Sequence, residues 1–491
     1  MKNTNAYLAR ANKLQDSGLF GKVNHKVFDL GKMAHVQHWF FKELKLKPLA
    51  HGVSGEPSTG KLFQAAYKDV PEVAIFKRYK QLLHLKRSFI VPFYKKVTES
   101  SDGMIDSRIR PSYGFASVVT GRSNSYKPSL QQIPSRTPET KYLKRGFSAG
   151  SIDPSAHKIL IKLDFNTHEI RMWADTSLDK ALGNQFLKAR AKRIEYMKTN
   201  NPDLPAKIKL MDLHRINVGL FLEVDIATMD PAILEAERDL IKAVVFGSIY
   251  GRSVRSIARA TKRSEEDIEN ALSKFFTIYK KGGDWLESMK EFAQEHLWSY
   301  SIIGRRRNLY GYLTGIPRII AANSRQAANS PIQGLGADVA HLANRVFTLE
   351  WLKVCKKQGW MESYGTKLPN CIEVMVHDSS RTAANLAQAC ACMQVLNWSY
   401  TIGVEKVLSK VFGMPMVCPL EIEFEIGPSE AHMKKWDWSF KSLKKILMDS
   451  LDTAQAEGIY KVTKADREDI WANWYKSDLR KEMDTTYPWF T

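Results

Sequence analysis

The chain has 491 residues, of which 44% are hydrophobic and 25% are charged, so it has the composition of a globular protein and the length of about three domains. No run of about 18 apolar residues is present, which excludes a membrane-spanning helix, and five irregularly spaced cysteines exclude a disulfide framework. Lys and Arg number 73 against 52 Asp and Glu, and this net charge of +21 favours a polyanionic partner such as a nucleic acid over a membrane surface.

The first predicted structured region is helical and basic. Residues 28–96 show helical patterning on both sides of a polar break at His51–Gly60, and the later part contains KRYKQLLHLKR. Such an arm is suited to packing along the backbone of a nucleic-acid duplex. A solvated helix face is the alternative that the pattern leaves open.

Short apolar strands are predicted next, and two of them end in aspartate. SYGFASVVT at residues 112–120 alternates as a strand, while ILIKLD and IEVMVHD end at Asp164 and Asp378. Carboxylates from two strands can hold two Mg²⁺ ions, which prefer oxygen ligands and can activate a hydroxyl and stabilise a pyrophosphate leaving group. A single strand-terminal Asp is more often a turn or cap residue, so the pair counts only in combination with other signals.

The segment RDLIKAVVFGSIYG, residues 238–251, carries a chemical signal within a helical region predicted at about 178–300. Four of its side chains recur every four residues and form one stripe on a helix: Arg238, Lys242, Phe246 and Tyr250. Two cations followed by two aromatic rings match a nucleoside triphosphate, with cations for the phosphates and ring faces for the base and sugar. An amphipathic helix that buries both rings and exposes both cations is the alternative.

Ordered segments along the chain resemble motifs of the family A (polymerase I-like) DNA polymerases. KLDFNTHEIR resembles motif A (DYSQIELR), RDLIKAVVFGSIYG contains every defining position of motif B (RxxxKxxxFGxxYG), and VHDSS resembles motif C (HDE). Further matches are Leu46–Ser58 and Tyr79–Pro92 to the thumb helices, TGRSNS (120–125), LQQIPSR (130–136), DLHR (212–215), GRRR (304–307) and RQAANSPIQG (325–334). The similarity runs from about residue 28 to about residue 428.

This resemblance implies a role for each matching residue. Asp164 and Asp378 would bind two Mg²⁺ ions and, with Lys242, carry out catalysis. The residues implied to bind the incoming nucleotide are Arg238, Lys242, Phe246, Tyr250, His214 and Glu169. Those implied to contact primer or template are Arg122, Arg325, Asn329, Gln333 and His377. Glu169 would also close the sugar pocket against a 2′-hydroxyl.

The fold implied by the resemblance is the α+β right hand, with a helical thumb, a palm built on an antiparallel sheet and helical fingers inserted into the palm. The expected segments are 1–105 for the thumb and N-terminal segment, 106–178 and 319–432 for the two parts of the palm, 179–318 for the fingers, and 433–491 for a C-terminal extension. This extension has no counterpart in the family.

The implied activity is that of a DNA-directed DNA polymerase, a nucleotidyltransferase that adds dNTPs to the 3′-hydroxyl of a primer on a DNA template. Single-subunit RNA polymerases share this palm, but Phe246 and Glu169 fit the DNA enzymes, since the RNA enzymes carry Met and Gly there. Ser379 instead favours the RNA polymerases, because family A DNA polymerases usually carry Glu at this position. A non-catalytic, basic nucleic-acid-binding protein would explain the charge but not the ordered motifs.

The remaining expectations concern what accompanies the polymerase module. The thumb-like part begins near residue 28 and no second set of carboxylate motifs is visible, so we expect no 3′–5′ exonuclease, as in a split polymerase of bacteriophage type. The extension contains five tryptophans: Trp436, Trp438, Trp471, Trp474 and Trp489. These could dock a separate exonuclease or processivity subunit, or pack the extension on its own palm. Since residues 1–20 lack a signal-peptide core, the expected location is cytoplasmic, in the host cell if the chain is phage-encoded.

Overall fold

The computed structural model describes residues 28–52, 54–98, 109–115, 117–134, 137–148, 158–361, 372–472, 474 and 478–489. The chain divides into two compact units, Met1–Ile109 and Arg110–Thr491. Among the described residues, no helix is long and apolar enough to cross a membrane. The division lies near the expected end of the thumb at residue 105, and the finer domain boundaries stay predictions.

The first unit is helical, which confirms the prediction for residues 28–96. Its helices are α1 (Met33–Gln37, continued by the π-helical turn His38–Glu43), α2 (Lys61–Ala66), α3 (Pro71–Leu85, continued by the π-helical turn Lys86–Ile90) and α4 (Val91–Thr98). Phe40, Phe63 and Phe76 fill a small core, with the Phe40 and Phe63 rings 5.5 Å apart. The cations Lys77 and Lys80 of α3 are exposed, so the basic face of this helix is solvated.

The second unit combines helices with short antiparallel sheets. Its first elements are β1 (Ser112–Gly114), β2 (Asn124–Tyr126), α5 (Pro138–Arg145), β3 (Lys158–Phe165), α6 (His168–Ser177), α7 (Lys180–Thr199), α8 (Leu204–Leu210), α9 (Leu213–Leu222), α10 (Pro231–Ile249), α11 (Val254–Thr261), α12 (Glu265–Ile278) and α13 (Lys280–His296). Helices α7 to α13 confirm the helical region predicted from about residue 178 to residue 300.

The chain then returns to a sheet and ends in helices. The later elements are β4 (Trp298–Tyr300), β5 (Arg306–Asn308), α14 (Pro317–Gln358), β6 (Ile372–Val376), β7 (Ser379–Asn385), α15 (Ala389–Trp398), α16 (Val404–Phe412), β8 (Ile422–Gly427), β9 (Lys434–Lys435), α17 (Phe440–Ala456), α18 (Lys464–Ala472) and α19 (Asp478–Thr486). Short 3₁₀ turns lie at Tyr310–Thr314 and Leu386–Gln388, and a π-helical turn at Ser399–Gly403 joins α15 to α16.

The principal sheet is antiparallel and has the strand order β6–β7–β3–β8–β9. Its central strand β3 alternates, because Ile159, Ile161 and Leu163 enter the core while Lys162 and Asp164 point to the opposite face. The core lies between the apolar face of the sheet and helices that include α6, α14 and α15. One face of the sheet is thereby left for polar side chains.

A buried ion-pair cluster fastens β8 to the helices beside the sheet. Glu421, immediately before β8, pairs with Arg171 of α6 and Arg193 of α7, each at 2.6 Å. The Arg171 side chain also donates to the carbonyl oxygen of Pro419. Because removing either partner would leave a buried charge unpaired, this cluster holds β8 firmly in its register against β3.

Three strand predictions require correction. The strand expected over residues 112–120 is limited to β1, because residues 118–121 form a turn in which the Gly121 N–H donates to the Val118 carbonyl at 2.8 Å and Gly121 has a φ of +78°. The strand expected to end at Asp378 ends at Val376, since the next two residues form the turn to β7 and His377 has a φ of +56°. The strand expected to end at Asp164 continues for one more residue.

The C-terminal extension packs on its own chain. Strand β9 pairs with β8, and the Trp436 ring lies 6.1 Å from Phe424 of β8 and 5.3 Å from Trp489. Trp438, Trp474 and Trp489 are buried as well, whereas the Trp471 side chain lies outside the described part of the chain. The described tryptophans therefore complete the core beside β8 rather than presenting a surface for another subunit.

We expect Trp436→Ala to lower the free energy of unfolding by about 3–5 kcal/mol, the usual cost of truncating a buried tryptophan. Trp436 is 1% exposed, and its indole N–H donates to the Ser439 carbonyl at 2.8 Å, so the substitution creates a cavity and removes one of the two hydrogen bonds that this carbonyl accepts. Urea unfolding followed by circular dichroism measures the change. Leu313→Ala, at a side chain that is 70% exposed, is the control and should change stability by less than about 0.5 kcal/mol. Equal effects of the two substitutions would contradict the packing described here.

Candidate functional site

The register of the principal sheet brings Asp164 and Asp378 to the same place. Strands β3 and β7 pair so that Asp164 lies opposite Ser379, the residue that follows Asp378. The amide of Phe165 donates to the carbonyl oxygen of Asp378 at 3.3 Å, which fastens the turn between β6 and β7 to the end of β3. Two carboxylates that are more than 200 residues apart in the sequence thus share one end of the sheet.

Negative charge accumulates at this end of the sheet. Burial and, next, the charge of Asp378 raise the pKa of Asp164 from 3.8 to about 7, and Lys162 only partly opposes them. Glu423 and Glu425 of β8 raise the same pKa further. Carboxylates that repel each other in a partly buried position are stabilised by a divalent cation.

The donor set at Asp164 and Asp378 fits a hard cation. Both side chains offer only oxygen atoms, which Mg²⁺ prefers as ligands. Among the described residues, no group of three or more His, Cys, Asp or Glu side chains is arranged around one metal position. An ion held by these two residues would therefore complete its coordination with water or substrate oxygens, as Mg²⁺ commonly does.

Ser379 contributes no charge to this site. Its hydroxyl donates to the carbonyl oxygen of Val376 at 3.0 Å, and the side chain is buried. The position that usually carries a third carboxylate in the resembling family is thus occupied by a side chain that bonds within its own turn.

The predicted stripe on α10 is formed, and its two rings are partly buried, with Phe246 packed against the core. Lys242 Nζ lies 6.0 Å from the Phe246 ring centroid, and the Phe246 and Tyr250 rings are 6.1 Å apart and nearly parallel. Both rings are half-buried, whereas the core face of α10 is made by other residues, among them Ile241 and Val245. The rings are thus neither fully buried nor fully exposed, and the nucleotide-binding role of the stripe stays a prediction.

The cationic end of the stripe is held by Asp212. The Arg238 guanidinium donates to both carboxylate oxygens of Asp212, at 2.9 and 3.1 Å. Asp212 also caps α9 by accepting from the amides of His214 and Arg215 at 3.1 and 3.2 Å. Burial opposes ionisation of Asp212, but the bonds from Arg238 outweigh it, so the pKa of this carboxyl is below its usual value.

His214 lies beside the same stripe and is neutral at pH 7. Its ring is 5.7 Å from the Phe246 ring, and burial lowers its pKa to about 4, with Arg238 and Lys242 adding to the effect. Its buried Nδ1 has no hydrogen-bond partner in the described part of the chain.

Glu169 connects three segments of the site. One carboxylate oxygen accepts from Arg122 at 2.6 Å, and the other accepts from the hydroxyl of Tyr250. Burial and the contact with Glu169 raise the pKa of Tyr250, so its hydroxyl stays protonated and donates. The two bonds fix the Glu169 side chain between α6 and the C-terminal end of α10.

A second stripe lies on α14. Arg325, Asn329 and Gln333 are spaced by four residues and line a cavity of about 160 Å³ together with Tyr250. Gly251 has a φ of +64°, and a Cβ at this position would lie 2.7 Å from the Arg325 side chain, so a glycine is needed for this close approach. The structure therefore joins the α14 stripe to the end of the α10 stripe.

His377 lies apart from the α14 stripe, in the turn that carries Asp378. Its side chain is exposed, and its pKa is lowered by burial of part of the ring and by the positive charge of Arg122. Of the five residues expected to contact primer or template, three therefore line one cavity, while Arg122 and His377 lie around Glu169 and Asp378.

A larger cavity, of about 530 Å³, lies between the turn that follows β3 and Arg238 of α10. Its lining includes Asn166, just after Asp164, as well as Arg238, Glu423 and Lys435. The volume is sufficient for a nucleotide-sized ligand. Arg238 and the end of β3 thus face a common space.

Sequence reasoning missed Asp212, Glu423 and Lys435. The register of β8 places Glu423 opposite Asp164, and Lys435 contacts it at 2.6 Å. The alternation in EIEFEI, residues 421–426, predicts a strand with acids on one face and could have identified Glu423. The pairing of that strand with β3 could not be read from it.

Comparison with known proteins gives consistent matches over most of the chain. Residues 2–429 match the family described as DNA polymerase family A. The chain is 25% identical over 407 residues to "DNA polymerase I" of Chloroflexus aurantiacus, an alignment covering 82% of this chain and 37% of that protein. It is 24% identical over 402 residues to "DNA polymerase I, thermostable" of Thermus aquaticus, covering 82% and 41%. The chain thus spans less than half the length of these bacterial relatives.

A solved structure shares the fold. The "POL domain of Pol1 from M. smegmatis complex with DNA primer-template and dNTP" superposes with a TM-score of 0.61 at 22% identity, covering 86% of this chain and 64% of that one. The expected α+β right-hand fold is confirmed by this match.

We expect Asp164→Asn to stabilise the metal-free protein in a pH-dependent way. Because the pKa of Asp164 is raised from 3.8 to about 7, the folded state favours the protonated form, and stability is lost as pH rises between these values. Asparagine cannot ionise, so its advantage over wild type should be about 2 kcal/mol larger at pH 8 than at pH 5. Thermal unfolding in EDTA measures the difference. Asp239→Asn, at a side chain that is 72% exposed, is the control, and a pH-independent advantage of Asp164→Asn would contradict the prediction.

Proposed function

The chain belongs to the DNA polymerase family A, and we propose from this premise that it is a template-directed DNA polymerase. It would add dNTPs to a primer 3′-hydroxyl by nucleotidyl transfer assisted by two Mg²⁺ ions. The observation that supports the proposal is the larger cavity, because Asn166, Glu423 and Arg238, the cation proposed to bind phosphate, all line it. A nucleotide in this space would have its phosphates between the carboxylates and the cations.

Asp164 and Asp378 would hold the metal ions, and Mg²⁺ supplies charge stabilisation for the attacking hydroxyl and the leaving pyrophosphate. Lys242 and Arg238 would bind the triphosphate by charge-assisted hydrogen bonds. His214, neutral at pH 7, can donate one hydrogen bond to a phosphate oxygen without adding a further positive charge. Phe246 presents a half-buried ring face next to these groups for stacking.

Glu169 would select the sugar. Its carboxylate is fixed by Arg122 and Tyr250, so it cannot swing away to make room for a 2′-hydroxyl. This fixed position supports DNA synthesis over the RNA polymerase alternative, in agreement with the aromatic side chain of Phe246. The non-catalytic alternative is disfavoured, because decay of the activity would not preserve both carboxylates and both phosphate-binding cations.

The proposed partners are a DNA primer–template and dNTPs. The cavity lined by Arg325, Asn329 and Gln333 offers a cation and two amides, groups that bind phosphates and base edges. The structural neighbour is described as a complex with DNA primer-template and dNTP, which supports the same partners here. The absence of a 3′–5′ exonuclease, a separate proofreading or processivity subunit, a phage origin and a cytoplasmic location stay predictions.

We expect wild-type protein with Mg²⁺ to extend a labelled primer on a DNA template with dNTPs, and Asp378→Ala to reduce the rate by at least about 10³-fold. Gel electrophoresis of the primer measures both, and Asp239→Ala, at an exposed carboxylate on α10, should extend like wild type. Loss of primer when dNTPs are withheld would contradict the expected lack of exonuclease. Unchanged extension by Asp378→Ala would contradict the proposed function. Efficient extension by the wild-type protein when rNTPs replace dNTPs would contradict it as well.

We expect Glu169→Ala to raise the use of rNTPs relative to dNTPs by about tenfold or more, because it removes the side chain expected beside C2′. Glu169→Gln is the matched control, since it keeps the size of the side chain and should keep the selectivity. Single-nucleotide incorporation gives kcat/KM for each nucleotide. Equal selectivity in all three proteins would show that another group rejects the 2′-hydroxyl.

A further inference from the structure

Glu423 lies on the same face of the sheet as Asp164, on the side away from Ser379. In the β3–β8 pairing these two residues are directly opposite, and opposite residues of an antiparallel pair project to one face with Cβ atoms about 4.5–5.5 Å apart. Asp164 therefore has Ser379 as one cross-strand neighbour and Glu423 as the other. Residue 379 on β7 carries no carboxylate, but Glu423 on β8 provides one on the other side of Asp164.

Two hydrogen bonds hold the Glu423 carboxylate. One oxygen accepts from the Asn166 side chain at 3.2 Å, and the other accepts from Lys435 Nζ at 2.6 Å. Asn166 is two residues after Asp164, so the first bond ties Glu423 to the turn that follows the end of β3. The Glu423 side chain is 37% exposed and lines the same cavity as Arg238.

Lys435 reaches Glu423 because of how the extension meets the sheet. In the register of β9, Lys435 lies opposite Glu425, but Glu425 is already paired with Lys162 at 3.1 Å. The ammonium group of Lys435 therefore extends along β8 to Glu423, which is the residue opposite Asp164. The preceding residue, Lys434, pairs instead with Asp449 of α17 at 2.8 Å, since neighbouring residues of a strand face opposite sides.

We propose that Glu423 is a third acidic residue that strengthens divalent-metal binding at Asp164 and Asp378, and that Lys435 of the C-terminal extension limits this effect. The proposal rests on the proposed function, because it assumes that these two aspartates bind the metal. Glu423 acts through its charge rather than as a ligand, since the described residues do not group three acids around one metal position. It is therefore a positioning residue, and Lys435 acts through it.

Charge at this range has a measurable effect. A carboxylate several Å from a divalent ion attracts it with twice the energy of a single-charge pair, and partial burial weakens the screening by water. Neutralising Glu423 should therefore weaken metal binding, while removing Lys435 should strengthen it. The effect of Lys435 should become smaller once Glu423 carries no charge, because only the direct repulsion between the ammonium group and the ion then remains.

The test is Mn²⁺ binding to the full chain without DNA or dNTP, measured from the loss of the free-ion signal in electron paramagnetic resonance. Glu423→Gln should raise the dissociation constant by about fivefold, and Lys435→Ala should lower it by about twofold. The double variant should bind Mn²⁺ only slightly more tightly than Glu423→Gln, and Glu423→Asp should keep most of the wild-type affinity. Lys434→Ala is the matched control and should bind Mn²⁺ like wild type.

The outcomes separate this inference from the proposed function. If Asp378→Ala loses Mn²⁺ binding but Glu423→Gln does not, the inference is wrong and the metal site stands. The inference is also wrong if Lys435→Ala has the same effect with and without Glu423→Gln, or if Lys434→Ala reproduces it. Unchanged binding in Asp378→Ala would overturn both, because the ion would then lie elsewhere. Thermal unfolding of each variant checks that it is folded.

Discussion

The structure depends on one constraint: the short strand β3 must place alternate side chains in the apolar core and on a polar face of the sheet. β3 lies at the centre of the principal sheet, so its apolar residues have to enter the core while Lys162 and Asp164 face polar space. A shift by one residue would bury the acid and expose the apolar side chains. The buried cluster of Arg171, Arg193 and Glu421 locks the neighbouring strand in place. Crowding of carboxylates at the end of β3 is a consequence of this exact register, and its energetic cost is what makes the site receptive to cations.

The helices around this sheet present cations to the same space without losing their own packing. Helix α10 uses Ile241 and Val245 for the core, which leaves Arg238 to line the larger cavity and Tyr250 to line the smaller one. Residues far apart in the sequence are then joined by single side chains. Glu169 joins α6 to the end of α10, and the close approach at Gly251 joins that end to α14. The site is thus a set of helix ends and strand ends connected through a few polar contacts.

Much of this arrangement could be predicted from the sequence, because local patterns determine local structure. The alternation of ILIKLD predicts β3, and the four-residue spacing from Arg238 to Tyr250 predicts the stripe on α10. The prediction for residues 112–120 was wrong because the alternation continues across a turn that requires the positive φ of Gly121. Contacts such as Lys435 with Glu423 depend on the pairing of β8 and β9 and on Lys162 occupying Glu425, which no local pattern reveals. The functional roles of the site residues stay predictions.

The pairing of Arg238 with Asp212 has a consequence for which anions the site accepts. The guanidinium already donates two hydrogen bonds to a carboxylate that is itself held at the start of α9. An incoming anion can bind Arg238 only if its interaction with the guanidinium is more favourable than that of Asp212. This difference in binding free energy sets a threshold for the anion. Abundant small anions with one or two charges gain little from the exchange, whereas a triphosphate that reaches Lys242 and His214 at the same time can exceed the threshold. Under the proposed function, the site would therefore stay unblocked in a cell rich in inorganic phosphate.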